Sequence, residues 1–393
     1  MYPDLSYILH ALIGTNPDNG FSIIKTFGLF LALSFVVSAW FLSLELKRKE
    51  ADGSLQKIKI LQNSARFSLL DLLINATIGF IIGWKAFYLF SHFKEFTNNA
   101  EAVLLSSQGS VLGGILIAAG VVAYQIYTNR GNFKKEAEPI EIWVSPNQKL
   151  GDITMMAAVC GIAGAKIFAL FEDPAALFQD PLGQLLSGSG LAIYGGLIGG
   201  FLGVYFYVKK IGIPPIHMMD SVAISLIMGY AVGRIGCQLS GDGDWGIVNT
   251  QPKPSWFILP DWMWSQSYPH NVVNEGATIA NCTWKYCTAL TPPVFPTPLY
   301  ETILGFIIAA ILWSLRKRLT IPGMLFCVYL ILNGFERFWI EKIRVNPKFD
   351  LGFVQWSQAE IIAVLFFCIG IIGLFYLWKN DKQKHYIKTT PTA

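Results

Sequence analysis

The residues able to do chemistry gather at the ends of apolar runs. Gly233-Arg234-Ile235-Gly236-Cys237-Gln238-Leu239-Ser240-Gly241-Asp242-Gly243-Asp244-Trp245-Gly246 follows directly on the mostly apolar run Met218 to Val232. An arginine at the centre of a bilayer costs about 2.5–3.5 kcal/mol on insertion scales. One at the boundary, among glycines that let a ligand approach the backbone, fits an anion site. A second arginine, Arg337, lies toward the end of another apolar run, followed by Glu341 and Arg344 at helical spacing. A guanidinium presents a planar fork of donors and stays charged when partly desolvated. Two of them in one cavity suit a phosphate diester and would stabilise charge developing on a phosphate leaving group. The plainer readings are an interfacial anchor for Arg234 and, for Arg337, an i,i+4 pair with Glu341 or a solvated charge beside Glu336 at the interface.

Other polar groups fall at the same depth. Glu301 opens an apolar run, Lys166 lies in the outer half of another, and Tyr194 stands in Ile193-Tyr194-Gly195-Gly196-Leu197. The Tyr194 hydroxyl can donate or accept a hydrogen bond, or the ring can be an interfacial aromatic. Gly195 and Gly196 permit close approach of another helix or of a lipid. Lys85 and Lys166 can pair with acids inside a bundle or hold a ligand. Asp242 and Asp244 are either turn formers or chemical groups. His217 and His270 have no partner at metal-ligand spacing, and no metal or cofactor is expected. Cys237 has no base beside it in sequence and reads as a buried thiol.

The elements that position these groups are membrane helices. Of 393 residues, 53% are hydrophobic and 14% charged, which places the chain among polytopic membrane proteins. The net charge of +4 is spread over short loops, which argues for topology and against nucleic-acid binding. The expected fold is all-α, a bundle of nine spans: Phe21–Leu44, Ser68–Phe90, Val111–Ile126, Ile153–Phe171, Leu191–Val208, His217–Arg234, Leu299–Leu315, Gly323–Ile340 and Ala359–Trp378. One set of loops, with the tail, carries Lys47, Arg48, Lys49, Lys57, Lys59, Arg66, Arg130, Lys134, Lys135, Lys149, Lys209, Lys210, Arg316, Lys317, Arg318, Lys379, Lys382, Lys384 and Lys388. The opposite set has only Lys94, Lys253, Lys285, Lys342, Arg344 and Lys348. The positive-inside rule puts the first set in the cytoplasm, the N-terminus outside and the C-terminus inside. The polar segment Gln238 to Pro296 then lies outside, as a functional loop or small folded cap. Cys282 and Cys287 within it either pair or remain free thiols. Met1 to Gly20 has no basic start followed by an apolar core, so no cleavable signal is expected.

The chain also repeats itself. Gly83-Trp84-Lys85-Ala86-Phe87-Tyr88-Leu89-Phe90 recurs as Gly164-Ala165-Lys166-Ile167-Phe168-Ala169-Leu170-Phe171, with Asp71 matching Asp152. Gly113-Gly114-Ile115-Leu116 echoes Gly195-Gly196-Leu197-Ile198. The second and third spans therefore read as a parallel copy of the fourth and fifth, against chance likeness between Gly- and Phe-rich helices. The expected organisation is 1–66 with the first span, 67–150 as the extra hairpin resembling 151–208, 151–237 as core spans, 238–297 as the outer cap, 298–378 as C-terminal core spans and 379–393 as a tail.

Four ordered motifs resemble those of the bacterial prolipoprotein diacylglyceryl transferase family. The Gly233–Gly246 stretch resembles G-R-[IL]-G-N-F-x-N-G-E-x-x-G, and Ser189–Gly199 resembles G-[LM]-x-[FI]-[HY]-G-G-L. Phe295-Pro296-Thr297-Pro298-Leu299-Tyr300-Glu301 resembles H-P-[ST]-Q-L-Y-E, and Arg337–Arg344 resembles R-F-x-x-E-x-x-R. Lys25-Thr26-Phe27-Gly28-Leu29 is a weaker match to an early Y-G-[LM]. The likeness covers the first helix and Gly151 onward, leaving about Arg66 to Ile126 as extra.

The resemblance implies transfer of the diacylglyceryl group of phosphatidylglycerol to the lipobox cysteine thiol of a prolipoprotein. A thioether forms and glycerol phosphate leaves, on the outer face of the bacterial inner membrane. The nucleophile belongs to the substrate, so no triad or cofactor is needed. Arg234 would bind the lipid phosphate or headgroup, Arg337 would assist from the facing helix, and Glu301 would position both. Gly195, Gly196, Gly236, Asp242, Asp244 and Lys166 would line the substrate site, with Tyr194 orienting the lipid. Tyr194 stands where the family often has histidine, and a phenol of reference pKa about 10 is a poor base. Cys237 replaces an Asn, Phe295 and Pro298 replace His and Gln, Phe27 replaces Tyr, and the Ser240–Gly246 turn is one residue longer. The group that activates the thiol is open, as is whether Asp242 or Asp244 takes the place of the family's Glu. The rival readings are a lipid or small-anion transporter and a membrane scaffold.

Overall fold

The computed structural model describes residues 1–62, 69–93, 108–128, 140–172, 192–346, 348–350 and 355–389, with single residues 96, 103 and 106. Two compact units form: residues 1–55 with 213–393, and residues 56–212.

In the first unit, α1 (Leu5–Ile13) starts where Asp4 caps the Ser6 amide and stops at Gly14, whose φ of 72° suits glycine. This short helix had no counterpart among the expected spans. The next helix, α2 (Thr26–Ala51), begins later than Phe21, because a 3-10 turn, Gly20–Ile23, precedes it. Lys25, just before it, pairs with buried Asp4 at 3.2 Å. Beyond the second unit, α7 (Pro215–Ser240) opens on proline. It does not end at Arg234 as expected. It runs on to Ser240 and stops at Gly241, whose φ is 63° and whose amide bonds Cys237 O at 3.0 Å. Gly236 is thus helical, and packing explains why it is glycine: a Cβ there would lie 2.7 Å from Phe30 Cβ on α2.

Three more helices complete this unit: α8 (Thr297–Leu315), α9 (Met324–Glu341) and α10 (Gln358–Thr389). Asp220 of α7 caps the start of α9, accepting from the Gly323 and Phe326 amides at 2.8 and 3.0 Å. Ser357 and Glu360 form a reciprocal cap at the start of α10, at 2.7 and 3.2 Å. Ile224, Ile227, Ile308, Ala309, Leu312 and Leu325 form the core between α7, α8 and α9. Small residues make the close crossings: Gly229 meets Ser38, Gly305 meets Ala231, and Gly334 meets Ala363. This is how helices associate where lipid removes the hydrophobic drive between them. At the end of α7 remote from Arg234, buried Glu45 lies between Arg48 and Arg316, and Lys49 pairs with Asp220. Arg48, Lys49, Asp220 and Arg316 border a cavity of about 600 Å³.

The segment from Gly241 to Pro296 is a folded cap. Trp245, Tyr268, Leu290 and Val294 form its core. A two-residue ladder joins β3 (Ala277–Thr278) to β4 (Thr288–Ala289). Cys282 and Cys287 are disulfide-bonded. The cap sits on α7 through Gln238, which donates to Gln266 at 2.7 Å and accepts from the Tyr268 hydroxyl at 2.8 Å.

The second unit holds an antiparallel pair, β1 (Ile58–Gln62) with β2 (Ile140–Val144), and two helix pairs. The first pair is α3 (Leu69–Ser91) with α4 (Val111–Thr128); the second is α5 (Leu150–Glu172) with α6 (Ile193–Lys210). A side chain on Gly83 would overlap Gly113 O, and one on Gly113 would strike Phe87. A side chain on Gly164 would overlap Gly195 O, and one on Gly195 would strike Phe168. The Ser110 amide donates to Trp84 O at 2.8 Å, and the Ala192 amide to Ala165 O at 3.0 Å.

Seven helices among the described residues are long and apolar enough to cross a membrane: α2, α3, α4, α5, α7, α8 and α10. Many of their apolar side chains are exposed; on α2, Phe35, Val36 and Trp40 are 54%, 64% and 59% exposed. A soluble protein would bury such rings, so lipid is the solvent for this surface.

Candidate functional site

Three arginines and two shared carboxylates meet at one end of α7. Arg234 is on α7, Glu301 near the start of α8 and Arg337 on α9, while Arg344 lies just past the end of α9. Glu301 is fully buried. Its Oε1 accepts from Arg337 Nη1 at 2.8 Å and Arg344 Nη1 at 3.1 Å, and its Oε2 faces Arg234 Nε at 3.1 Å. Asp244 ties the other ends together: Oδ1 accepts from Arg344 Nη2 at 2.7 Å and Oδ2 pairs with Arg234 Nη1. Arg337 also faces Glu341 Oε2 at 3.5 Å. The Tyr230 ring, one turn before Arg234, meets that guanidinium at 5.3 Å.

The cap sets Arg344. The Ile247 amide donates to Ile343 O at 2.8 Å, in an antiparallel bridge between Gly246 and Arg344. A Cβ on Gly246 would collide with Ile343 O, so this approach needs glycine. Thr297 Oγ1 donates to Asp244 O at 2.8 Å and fixes the turn against α8.

The two aspartates differ in their contacts. Asp242 Oδ1 accepts from the Asp244 amide at 3.3 Å, a turn-forming contact, whereas Asp244 meets both arginines. Burial pushes the Asp244 carboxyl up, but Arg234 and Arg344 outweigh it and hold it below the ordinary carboxylate value. Burial raises the Asp242 carboxyl, and the charge of Asp244 adds to that. Cys237, Asp242 and Asp244 could converge on a metal ion, their nearest ligand atoms all lying within 4.8 Å. Both Asp244 oxygens are taken by arginines, which leaves two ligands, fewer than structural or catalytic zinc uses.

Arg234, Arg337, Glu301, Asp242 and Asp244 therefore come together as one cluster. Gly236 faces α2, where it serves helix packing, while open space surrounds the Cα of Gly233 beside Arg234. Gly195 faces Gly164 and Phe168, and a side chain on Gly196 would touch Ala165, so both serve the packing of α6 on α5. Lys166 lies on α5 in the second unit and is half-buried. Lys85, which the sequence aligned with it, donates to Gln108 O at 2.9 Å and also reaches Ser106 O. The Tyr194 side chain and the motif residues Ser189 to Leu191 lie outside the described residues, as do Arg66, Lys94, Arg130, Lys134 and Lys135. Arg344, noted in sequence only for its spacing, is the most buried arginine of the cluster, with 8% of its side chain exposed against 16% for Arg234. Tyr230 had no part in the sequence reading, and Glu336, which accepts from the Tyr230 hydroxyl at 3.3 Å, entered it only as a neighbour of Arg337. Tyr230 could have been found from its i,i+4 spacing to Arg234 on a helix, but not from its type.

Apolar helices long enough to cross a membrane, with an arginine–carboxylate cluster under a polar cap, define the class: a polytopic membrane protein. The model of the prolipoprotein diacylglyceryl transferase family matches residues 114–376, and the chain belongs to that family. The match begins inside α4, upstream of the Gly151 at which the motifs resume. Among its relatives, the phosphatidylglycerol–prolipoprotein diacylglyceryl transferase of Treponema denticola is 34% identical over 49% of this chain and 62% of the relative. That of Prochlorococcus marinus subsp. pastoris is 29% identical over 56% of this chain and 71% of the relative. That of Lysinibacillus sphaericus is 26% identical over 67% and 86%.

Proposed function

We propose that this chain transfers the diacylglyceryl group of phosphatidylglycerol to the lipobox cysteine of a prolipoprotein, forming a thioether and releasing glycerol phosphate. The observation that carries the reading is the meeting of Arg234, Arg337 and Arg344 around Glu301 and Asp244 at the end of an apolar helix. Fixed guanidiniums in a low-dielectric site stabilise charge on a departing phosphate without reorganisation. Glu301 holds the three forks in place. Asp244, with 36% of its side chain exposed, is the carboxylate placed to yield its arginines to a phosphate. Arg234 binds the phosphate, Arg337 assists, Asp242 and Gly236 shape the turn and helix that hold Arg234, and Tyr194 orients the lipid. Gly195, Gly196 and Lys166 shape the helical hairpin that carries Tyr194.

The bundle has nine spans in this reading. To the seven long apolar helices it adds α6 and α9, each 18 residues. The basic loops face the cytoplasm, the N-terminus and cap face outward, and the membrane is the bacterial inner membrane. Residues 67–150 duplicate 151–208. Support comes from the equivalent glycine–glycine contacts, Gly83 on Gly113 and Gly164 on Gly195, and from the equivalent amide bonds from Ser110 and Ala192. The duplicated hairpin, the core spans 151–237 and 298–378, the cap 238–297, the N-terminal 1–66 and the tail 379–393 are its parts.

The test is to incubate purified protein with phosphatidylglycerol and a lipobox peptide. Thioether-linked peptide and free glycerol phosphate are expected in equal amounts. Lipid crossing between leaflets without product would support a transporter instead.

A further inference from the structure

Glu336 immediately precedes Arg337 on α9 and is 3% exposed. Its Oε1 accepts from the Tyr230 hydroxyl at 3.3 Å, and its Oε2 is buried with no hydrogen-bond donor among the described residues. The other buried acids, Asp4, Glu45, Asp220, Glu301, Glu341 and Glu360, each have a cation within 4.0 Å. Among the described residues Glu336 has none. A buried carboxylate with no cation in direct contact is costly, and fold stability alone gives no reason to keep one. Tyr230 connects it to the cluster, since the ring whose hydroxyl reaches Glu336 also faces Arg234. The titratable groups that Glu336 faces are Tyr230 and Arg234 from α7, Glu301 from α8, and Tyr329 and Arg337 on its own helix. Glu360 of α10 is occupied by Lys342 and Ser357. No histidine contacts the cluster among the described residues, and Tyr194 stands where the family's histidine would be.

We propose that Glu336 is the proton acceptor for the substrate thiol, a role that rests on the transfer reading above. Its free Oε2 takes the proton from the lipobox cysteine as sulfur bonds to the glycerol carbon that carried the phosphate. The bond from that carbon to the phosphate oxygen breaks, and its electron pair leaves with glycerol phosphate, held by Arg234 and Arg337. Glu336 then returns its proton to solvent. Tyr230 holds the carboxylate through Oε1 and is a positioning residue.

The experiment compares full-length wild type, Glu336→Gln and Glu336→Asp with phosphatidylglycerol and a lipobox peptide from pH 6 to pH 9.5. Glu336→Gln is expected to be about 100-fold slower at pH 7. The deficit should shrink to within about tenfold at high pH, where the peptide thiol, of pKa about 8.5, ionises unaided. Glu336→Asp, which also serves if the glutamine variant does not fold, should lose less at pH 7 and regain activity in the same direction. Unchanged KM for phosphatidylglycerol is expected in both. Wild-type rates in folded Glu336→Gln, or a loss equal at every pH, would overturn the proposal. No product from wild type at any pH would instead overturn the transfer reading beneath it.

Discussion

At the residue scale, Glu301 decides the geometry. A carboxylate with no exposed surface is stable only where cations surround it, and three guanidiniums do so. Arg234 and Arg337 were legible in sequence because charges at the edges of apolar runs are rare and read as functional. Which aspartate joins them was not legible, since Asp242 and Asp244 are equally suited to a turn; only the bonds of Asp244 to Arg234 and Arg344 separate them. Glu336 was illegible because its burial depends on the packing of α7 against α9, and no local pattern encodes that. Asp244 gives a pH prediction. Its carboxyl is held below its unfolded value, so its contribution to stability is complete above about pH 4 and is lost as acid protonates the folded site. The difference in unfolding temperature between wild type and Asp244→Asn should therefore be constant from pH 7 to about pH 5 and narrow below pH 4. A difference that widens in acid would contradict the pairing.

At the element scale, glycine sets the distances between helices. The Gly195-Gly196 pair could have served a lipid or a neighbouring helix, and the structure puts Gly195 against Gly164. Gly164→Leu would force α5 and α6 apart, at about 1–3 kcal/mol by analogy with overpacked cores. A lower unfolding temperature in detergent is expected, while Gly120→Leu, which meets nothing within 4 Å, should be neutral. Equal unfolding temperatures for the two variants would show that the close contact is unimportant. Helix positions were legible from apolar length, but some ends were not. α7 outran its expected end because Gly233 and Gly236 looked like loop residues, whereas only Gly241 has the left-handed backbone that ends a helix. The short α1 escaped notice because its length is far below that of a span, although Asp4 and Gly14 are ordinary start and stop signals.

At the scale of the whole molecule, the proposed orientation rests on the basic loops and on the cap. A disulfide between Cys282 and Cys287 forms and persists in an oxidising compartment, which agrees with a cap outside the cell membrane. In intact spheroplasts, mild reduction followed by a membrane-impermeant maleimide should label Cys282 and Cys287. A cysteine introduced by Lys317→Cys should react only after lysis. The reverse pattern would invert the topology and detach the arginine cluster from substrates that emerge on the outer face.

The most direct measurement is the rate of thioether formation on a lipobox peptide by purified Arg234→Ala beside wild type. With Glu301 still held by Arg337 and Arg344, the variant should stay folded. It should lose at least about 100-fold in kcat/KM, the scale expected when one donor to a developing oxyanion is removed. A folded Arg234→Ala protein that transfers at the wild-type rate would contradict a phosphate held by this arginine.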